Sequence, residues 1–239
     1  RAAVASTALA VAAGSQLAAL APASAAPAQA GSPSSWAAAC DSGSLGLDKD
    51  TVQLAPTLPT DRRPDGTPVA YSPDARGMYT PIVMVHGWTG SDTHDAAGQG
   101  AFSHRIDLTA NRLGTVTTTR SLIGQFQDLP GAAVFTFDYH PYSARWVDDE
   151  HLGPALGKVI DCLYRASGQK VIVVGHSMGG LVTRYAATHR GVAGQDRAAE
   201  ISTVVTFGTP ETGSVAALLA EAGLDAGAPT NDLLAVVRL

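Results

Sequence analysis

Residues 171–184 have the sequence Val-Ile-Val-Val-Gly-His-Ser-Met-Gly-Gly-Leu-Val-Thr-Arg, and this stretch decides the fold. It opens with a short apolar, β-branched run that is typical of a buried strand, and apolar residues later return with helical spacing. Gly175 and Gly179 flank Ser177 in the pattern Gly-x-Ser-x-Gly. Without side chains at the two glycines, the backbone can turn tightly and present a serine hydroxyl at the top of a sheet. The stretch therefore predicts a strand, a sharp turn and a helix, with Ser177 as the candidate nucleophile.

The pattern alone also fits a solvated serine in a strand-to-helix loop, so its context matters. A second signal lies upstream, where the apolar run of residues 82–85 is followed by His86, Gly87 and Trp88. A short continuous apolar run indicates a strand that is buried on both faces of a parallel sheet. Two independent strand-end motifs favour a functional serine.

Four blocks of sequence carry a resemblance to a known family. They are residues 81–91, 135–139, 171–180 and 207–210, the last followed by Gly213 and Ser214. In these blocks the chain resembles the α/β-hydrolases, and within them the secreted bacterial lipases and esterases. The blocks follow the family's order over about residues 78–214. The resemblance implies the α/β-hydrolase fold, a mostly parallel sheet with helices on both faces.

The resemblance also implies an oxyanion hole. In similar lipases the residue after His-Gly and the residue after the nucleophile each donate a backbone N–H, and these positions are Trp88 and Met178 here. Met178 would begin a helix, where backbone donors lack intrahelical partners. Each donor can contribute on the order of a hundredfold in rate. The side chains of Trp88 and Met178 would either line an acyl pocket or pack in the core.

Composition limits the classes of function. The 239 residues are 45% hydrophobic, enough for one sizeable domain with its own core, and the formal net charge of -5 argues against a nucleic-acid partner. The two cysteines, Cys40 and Cys162, lack the paired spacing of a zinc site, and no metal is expected. They form either one disulfide, if the protein is exported, or two unpaired thiols.

The first 30 residues are expected to be a signal peptide. Arg1 precedes an apolar stretch, and Ala-x-Ala sites follow near residues 23–25 and 28–30. A membrane anchor and a disordered Ala-rich leader are the alternatives, although the apolar run is short for a span. The signal peptide predicts a secreted protein. Residues 31–79 are expected to be an extended lead-in around the domain edge, with one strand near 67–71, and residues 80–239 to be the hydrolase domain.

Further strands are expected at residues 132–139 and 201–207. Between them, residues 146–164 carry an apolar stripe with helical spacing, and Pro154 is a candidate for the helix's first turn. Partial helical patterns cover residues 102–113 and 121–129. Alternating strands and helices predict parallel pairing. Residues 215–223 are predicted to be helical and, by the resemblance, to begin a cap or lid.

A serine nucleophile needs a histidine base and a carboxylate that orients it, and in this fold they follow in the order Ser, Asp or Glu, His. The sequence has seven histidines: His86, His94, His104, His140, His151, His176 and His189. Only His189 follows Ser177, and its position three turns along the same helix points it away from the hydroxyl. His86 and His176 belong to strand-end motifs and are expected to make structural hydrogen bonds. His140 lies at a strand's carboxyl end, where ligands gather in such sheets.

Three of the carboxylates that follow the nucleophile helix are candidates for the triad acid: Glu211, Asp225 and Asp232. Glu211 comes just after a strand, a position where some lipases keep their acid, whereas the other two resemble surface charges. The apolar run at residues 233–237 also lies where such a domain would need further strands. We therefore expect the C-terminal part to be missing, with the triad acid and histidine beyond Leu239, and the 239 residues alone to be inactive toward esters.

The sequence favours a secreted serine hydrolase that cleaves carboxylic esters, such as lipids, through an acyl-enzyme on Ser177. No cofactor is expected because every reacting group would come from protein. Transient contact with a lipid interface fits this function. A serine acyltransferase, in which an alcohol replaces water, and a non-catalytic binding protein on a hydrolase scaffold are the alternatives. The sequence leaves the oligomeric state open.

Overall fold

The computed structural model describes residues 31–55, 70–91, 102, 107–108, 119–120, 122–191 and 193–213. Several expectations lie wholly or mostly outside these residues, among them the signal peptide of residues 1–30, the strand near residues 67–71, the helical pattern of residues 102–113, the helix at residues 215–223 and the apolar run at residues 233–237. Among the described residues, no helix has the length and apolar character needed to cross a bilayer.

The described helices and strands alternate along most of the chain. The helices are α1 (Pro33–Ala39), α2 (Leu122–Gln127), α3 (Gly153–Ser167) and α4 (Met178–Thr188), with short 3-10 helices at His140–Tyr142 and Arg197–Glu200. The strands are β1 (Val52–Leu54), β2 (Thr80–Val85), β3 (Asp107–Leu108), β4 (Thr119–Arg120), β5 (Ala132–Phe137), β6 (Val171–His176) and β7 (Ile201–Phe207).

Five strands form one sheet in the order β1-β5-β2-β6-β7. The pairs β5–β2, β2–β6 and β6–β7 are parallel, and β1 at the edge is antiparallel to β5. The predicted mostly parallel sheet is confirmed. Because β2 and β6 are neighbours at the centre, the His86-Gly87 and Ser177 motifs meet at the same edge of the sheet.

Side chains alternate between two apolar layers, one on each face of the sheet. On β2, Val83 and Val85 join a cluster that contains residues of α1, α3 and α4. Ile82 and Met84 point the other way and join a cluster with Ile123 of α2. Residues one apart on a strand face opposite sides, so a continuously apolar strand needs cover on both. The expected helices on both faces are confirmed.

Helix α3 begins later than the apolar stripe predicts. It starts at Gly153, with Pro154 in its first turn, and ends at Ser167, capped by Gly168, whose φ of +65° is left-handed. A proline inside a helix has no N–H to donate and its ring blocks the preceding turn, so a helix from residue 146 would be broken at this point. The predicted start at residue 146 is therefore wrong, whereas Pro154 does mark the first turn.

The segment expected to be an extended lead-in contains a helix and an edge strand. Ser32 caps α1, the Trp36 side chain is buried, and Cys40 forms a disulfide with Cys162 of α3. Residues 52–54 then pair with β5 as β1. A helix of two turns is too short to show reliable periodicity and depends on tertiary packing, which is why the composition did not predict it. Of the two states left open for the cysteines, the structure contains the disulfide.

The helix predicted from the spacing of residues 102–113 is wrong at the residues that the structure describes. Residues 107–108 form β3, which pairs antiparallel with β4 at residues 119–120. Short apolar patterns fit either period, and pairing with a later segment decides between them. The other segment with a partial helical pattern, residues 121–129, does contain a helix, α2.

Candidate active site

Ser177 is the single residue between the end of β6 and the start of α4. Its φ of 51° and ψ of -122° are strained for a residue with a side chain. Its N–H donates to the Phe207 carbonyl at 2.8 Å, and its own carbonyl accepts from the Thr209 hydroxyl at 2.9 Å. The end of β7 and the Gly-Thr-Pro block that follows thus hold the turn from both sides, and the predicted strand, sharp turn and helix are present.

The flanking glycines are required by close backbone approach. An ideal Cβ at Gly175 would lie 2.8 Å from the Gly180 nitrogen, and one at Gly179 would lie 2.2 Å from the Val85 carbonyl oxygen. Real Cβ atoms essentially never come this close to backbone. The helix therefore starts directly above the end of β2 only because these positions carry no side chain.

The turn after β2 lies against the serine. Residues Gly87 to Gly90 form this turn, closed by a 3.0 Å hydrogen bond from the Gly90 N–H to the Gly87 carbonyl. An ideal Cβ at Gly87 would lie 2.8 Å from the Cβ of Ser177. Thr89 has a φ of 54°, an unusual value for a β-branched residue. We call this segment the oxyanion turn, since Trp88, one of the two expected donors, lies within it.

The two expected oxyanion donors are the backbone N–H groups of Trp88 and Met178. Among the described residues, neither N–H donates to a backbone carbonyl. Met178 is the first residue of α4, where the N–H groups point out of the helix. The two side chains differ in environment: Trp88 is 37% exposed, and Met178 packs against the main core cluster. Core packing is thus confirmed for Met178 and wrong for Trp88.

His86 is buried directly beneath the oxyanion turn. Its Nδ1 lies 2.8 Å from the Gly87 carbonyl, and its Nε2 accepts a 3.0 Å hydrogen bond from the Tyr139 N–H. Since Nε2 accepts this bond, the proton that bonds the Gly87 carbonyl lies on Nδ1. Its ring also stacks on that of Tyr139, with centroids 3.9 Å apart. The structural role expected for His86 is confirmed.

The other described histidines have separate local partners. His176 meets the ring of Phe102 edge-on at 6.2 Å, and the Nδ1 of His189 contacts the Tyr185 carbonyl of its own helix at 2.7 Å. The Nδ1 of His151 contacts a carboxyl oxygen of Asp149 at 2.8 Å. His94 and His104 lie outside the described residues. No described histidine forms a hydrogen bond with the Ser177 hydroxyl, and His189 turns away from it as predicted.

Glu211 is exposed beyond β7 and lies 3.7 Å from the guanidinium of Arg184. No hydrogen bond among the described residues joins Glu211 to a histidine, so its described contacts do not indicate a triad acid. Asp225 and Asp232 lie outside the described residues. No group of three or more metal-ligating side chains occurs within the described part of the chain.

Comparison with known proteins covers the part of the chain that contains the turn at Ser177 between β6 and α4, which we call the elbow. Residues 150–222 match a family described as a PGAP1-like alpha/beta domain. The chain resembles the α/β-hydrolase superfamily. Its sheet order, covered faces and serine elbow make the fold that of an α/β-hydrolase. No curated protein matches the chain.

Solved structures of hydrolase-fold proteins are similar to part of the chain. The mature form of the Bacillus licheniformis lipase BlEst2 is 27% identical with a TM-score of 0.42, covering 64% of this chain and 49% of the lipase. The propeptide form of that lipase is 26% identical with a TM-score of 0.41, covering 64% and 27%. MenH from S. aureus is 18% identical with a TM-score of 0.35, covering 63% and 45%. The chain thus spans at most about half the length of these proteins.

A buried charge cluster supports helix α4, and the sequence analysis missed it. Arg197 pairs with Asp161 of α3 at 2.8 Å and 3.1 Å and also donates to the Ala186 carbonyl near the end of α4. Glu200 is buried beside this pair, and burial raises the pKa of its carboxyl to about 7, with a hydrogen bond to Asp161 acting in the same direction. An ideal Cβ at Gly157 would lie 2.6 Å from the guanidinium carbon.

The sequence offers one signal for this cluster. Gly153, Gly157 and Asp161 are spaced four apart and so share one face of α3. Small residues at such spacing indicate a close neighbour, here the Tyr185 ring and the Arg197 guanidinium. The arginine itself follows a polar loop and gives no sign of burial.

Proposed function

We propose that the protein is a secreted serine hydrolase that cleaves carboxylic esters through an acyl-enzyme on Ser177. The observation that carries the proposal is the elbow. Ser177 is held at a strained φ of 51° between β6 and α4, and an ideal Cβ at Gly87 of the oxyanion turn would lie 2.8 Å from its own Cβ. Strain of this kind costs about 1–3 kcal/mol and is retained at sites where it serves function.

The proposed chemistry uses groups of the protein alone. The Ser177 hydroxyl loses its proton to a histidine base, and its oxygen attacks the ester carbonyl to form a tetrahedral intermediate. The backbone N–H groups of Met178 and Trp88 bind the oxyanion. The alcohol leaves with a proton from the base, and water then resolves the acyl-enzyme. The base and its carboxylate come from residues outside the described part of the chain.

An acyl ester or lipid substrate and an extracellular location complete the proposal. The Cys40–Cys162 disulfide supports export, because disulfides persist in oxidising compartments. The N-terminal residues 1–30 support it through their composition. The exposed Trp88 side chain, which follows the Gly87 that packs against the serine, supports an apolar acyl group.

Fluorophosphonate labelling of the protein made from its complete coding sequence tests the nucleophile. We expect a label on Ser177, turnover of p-nitrophenyl butyrate, and loss of both in Ser177→Ala, with activity falling by about 10⁶-fold. Ser202→Ala, on the exposed face of β7, is the matched control and should keep both. A protein that stays unlabelled and does not turn over esters would overturn the proposal in favour of a binding scaffold. Product partition between water and added alcohol distinguishes a hydrolase from an acyltransferase.

A further inference from the structure

Three consecutive residues after β5 bind the oxyanion turn and the histidine beneath it. The Tyr139 N–H donates to His86 Nε2 at 3.0 Å, and its hydroxyl donates to the His86 carbonyl at 2.6 Å. Asp138 accepts from the Ser91 hydroxyl at 3.0 Å, just past the turn. The Nδ1 of His140 lies 2.9 Å from the Gly90 carbonyl. We call Asp138, Tyr139 and His140 the clamp.

Two of the three clamp residues are buried. Asp138 and Tyr139 are only 4% and 1% exposed, whereas His140 is exposed. The other carboxyl oxygen of Asp138 accepts from the His140 N–H at 2.7 Å. Buried, hydrogen-bonded polar networks have few alternative arrangements, because each broken bond would leave a desolvated group without a partner. The clamp therefore fixes the positions of the groups that it contacts.

The oxyanion turn needs such support because its backbone is strained. Thr89 has a φ of 54°, in the left-handed region that a β-branched side chain disfavours. A conformation of this kind persists only where the surrounding structure determines it. The clamp holds the chain on both sides of Thr89, at His86 before it and at Gly90 and Ser91 after it.

We propose that Asp138, Tyr139 and His140 are positioning residues that hold the oxyanion turn in its strained form, so that the Trp88 N–H points at the developing oxyanion. This inference rests on the proposed function and extends it to residues that do not touch the substrate. A donor that is displaced binds the transition state less well while leaving the ground-state complex almost unchanged. Loss of the clamp therefore lowers kcat rather than raising KM.

Tyr139→Phe and His140→Ala test the inference in the protein made from its complete coding sequence. Each variant removes one clamp contact, and the first keeps the aromatic ring. We expect kcat for p-nitrophenyl butyrate to fall about tenfold in each, with KM within about twofold of wild type and the rate of fluorophosphonate labelling lowered in parallel. His151→Ala is the control for loss of a histidine ring, because His151 contacts Asp149 and stacks on Tyr142, outside the oxyanion turn. It should keep kcat.

Repeating the test in a Thr89→Gly variant separates a positioning role of the clamp from a general effect on stability. Thr89→Gly removes the backbone strain, so the turn no longer depends on the clamp, and Tyr139→Phe should cost less than about threefold in kcat there. Unchanged kcat in both clamp variants, a change confined to KM, or an equal loss in both backgrounds would each overturn the clamp while Ser177 labelling still supported the hydrolase. Absence of labelling in the wild type would instead overturn the proposed function, and the clamp with it.

Discussion

Replacing Gly179 by alanine tests how closely the serine elbow packs on the central strand. An ideal Cβ at this position would lie 2.2 Å from the carbonyl oxygen of Val85 and 2.4 Å from that of His86. Both are backbone atoms at the end of β2, so neither can rotate away. The elbow or the strand end must move by about 0.8 Å to reach even the 3.0 Å lower limit of real Cβ contacts.

This displacement sets the expected magnitude. A misplacement of about 1 Å among catalytic groups can cost on the order of 10²-fold in rate, so kcat/KM should fall about a hundredfold in Gly179→Ala. Alanine favours a helix over glycine by about 1 kcal/mol, and overpacking costs about 1–3 kcal/mol. The clash therefore exceeds the gain in helix propensity, and the variant should also be less stable.

The assay is turnover of p-nitrophenyl butyrate by the protein made from its complete coding sequence, with urea unfolding measured in parallel. Gly43→Ala is the matched control, because a Cβ there would meet only a side-chain oxygen of Asp41 at 3.4 Å, an ordinary contact. It should change neither quantity. The reasoning is refuted if Gly179→Ala keeps kcat/KM within about threefold of wild type.

Three further predictions concern stability and are measured by urea unfolding. The Cys40–Cys162 disulfide joins residues 122 apart, and breaking it should lower the free energy of unfolding by about 5 kcal/mol because the unfolded chain gains loop entropy. Equal urea midpoints with and without reductant would contradict this. Burial raises the pKa of Glu200 from 4.5 to about 7, so the folded state favours the protonated carboxyl. The stabilisation from the protonated Glu200 should be fully present below pH 4.5, and the free energy of unfolding should fall by up to about 3 kcal/mol as the pH rises toward 7. A Glu200→Gln variant whose free energy of unfolding depends on pH in the same way would disprove this. Arg197→Met leaves the buried Asp161 without its partner and should cost about 3–5 kcal/mol, much of which Asp161→Asn in the same chain should restore; a loss below about 1 kcal/mol would refute the role of the pair.

Local sequence was sufficient to predict the centre of the fold. The apolar runs that end at Val85 and His176 specify strands buried on both faces, because no other element of that length hides so many β-branched side chains. Gly175 and Gly179 specify the turn, since only glycine fits where the backbone comes this close. Ser177 was therefore placed at the strand-to-helix turn from its neighbours alone.

Elements stabilised by distant contacts were predicted less well. Helix α1 has two turns and depends on burial of Trp36 and on a disulfide to α3, neither of which has a local signature. The strand at residues 107–108 pairs with a segment eleven residues further along, and the local spacing there had predicted a helix. Periodicity reports only the exposure pattern within one element, not its partner.

The sequence by itself predicted a serine in a sharp turn after a buried strand of a parallel sheet, and a His-Gly motif at the end of another such strand. Only the tertiary structure decided what holds that site, because the clamp contacts join residues about fifty positions apart: Asp138 to Ser91, Tyr139 to His86 and His140 to Gly90. Aspartate, tyrosine and histidine are ordinary residues in a loop after a strand. Their effect on the oxyanion turn arises from the parallel pairing of β2 and β5, which brings the carboxyl ends of two distant strands together.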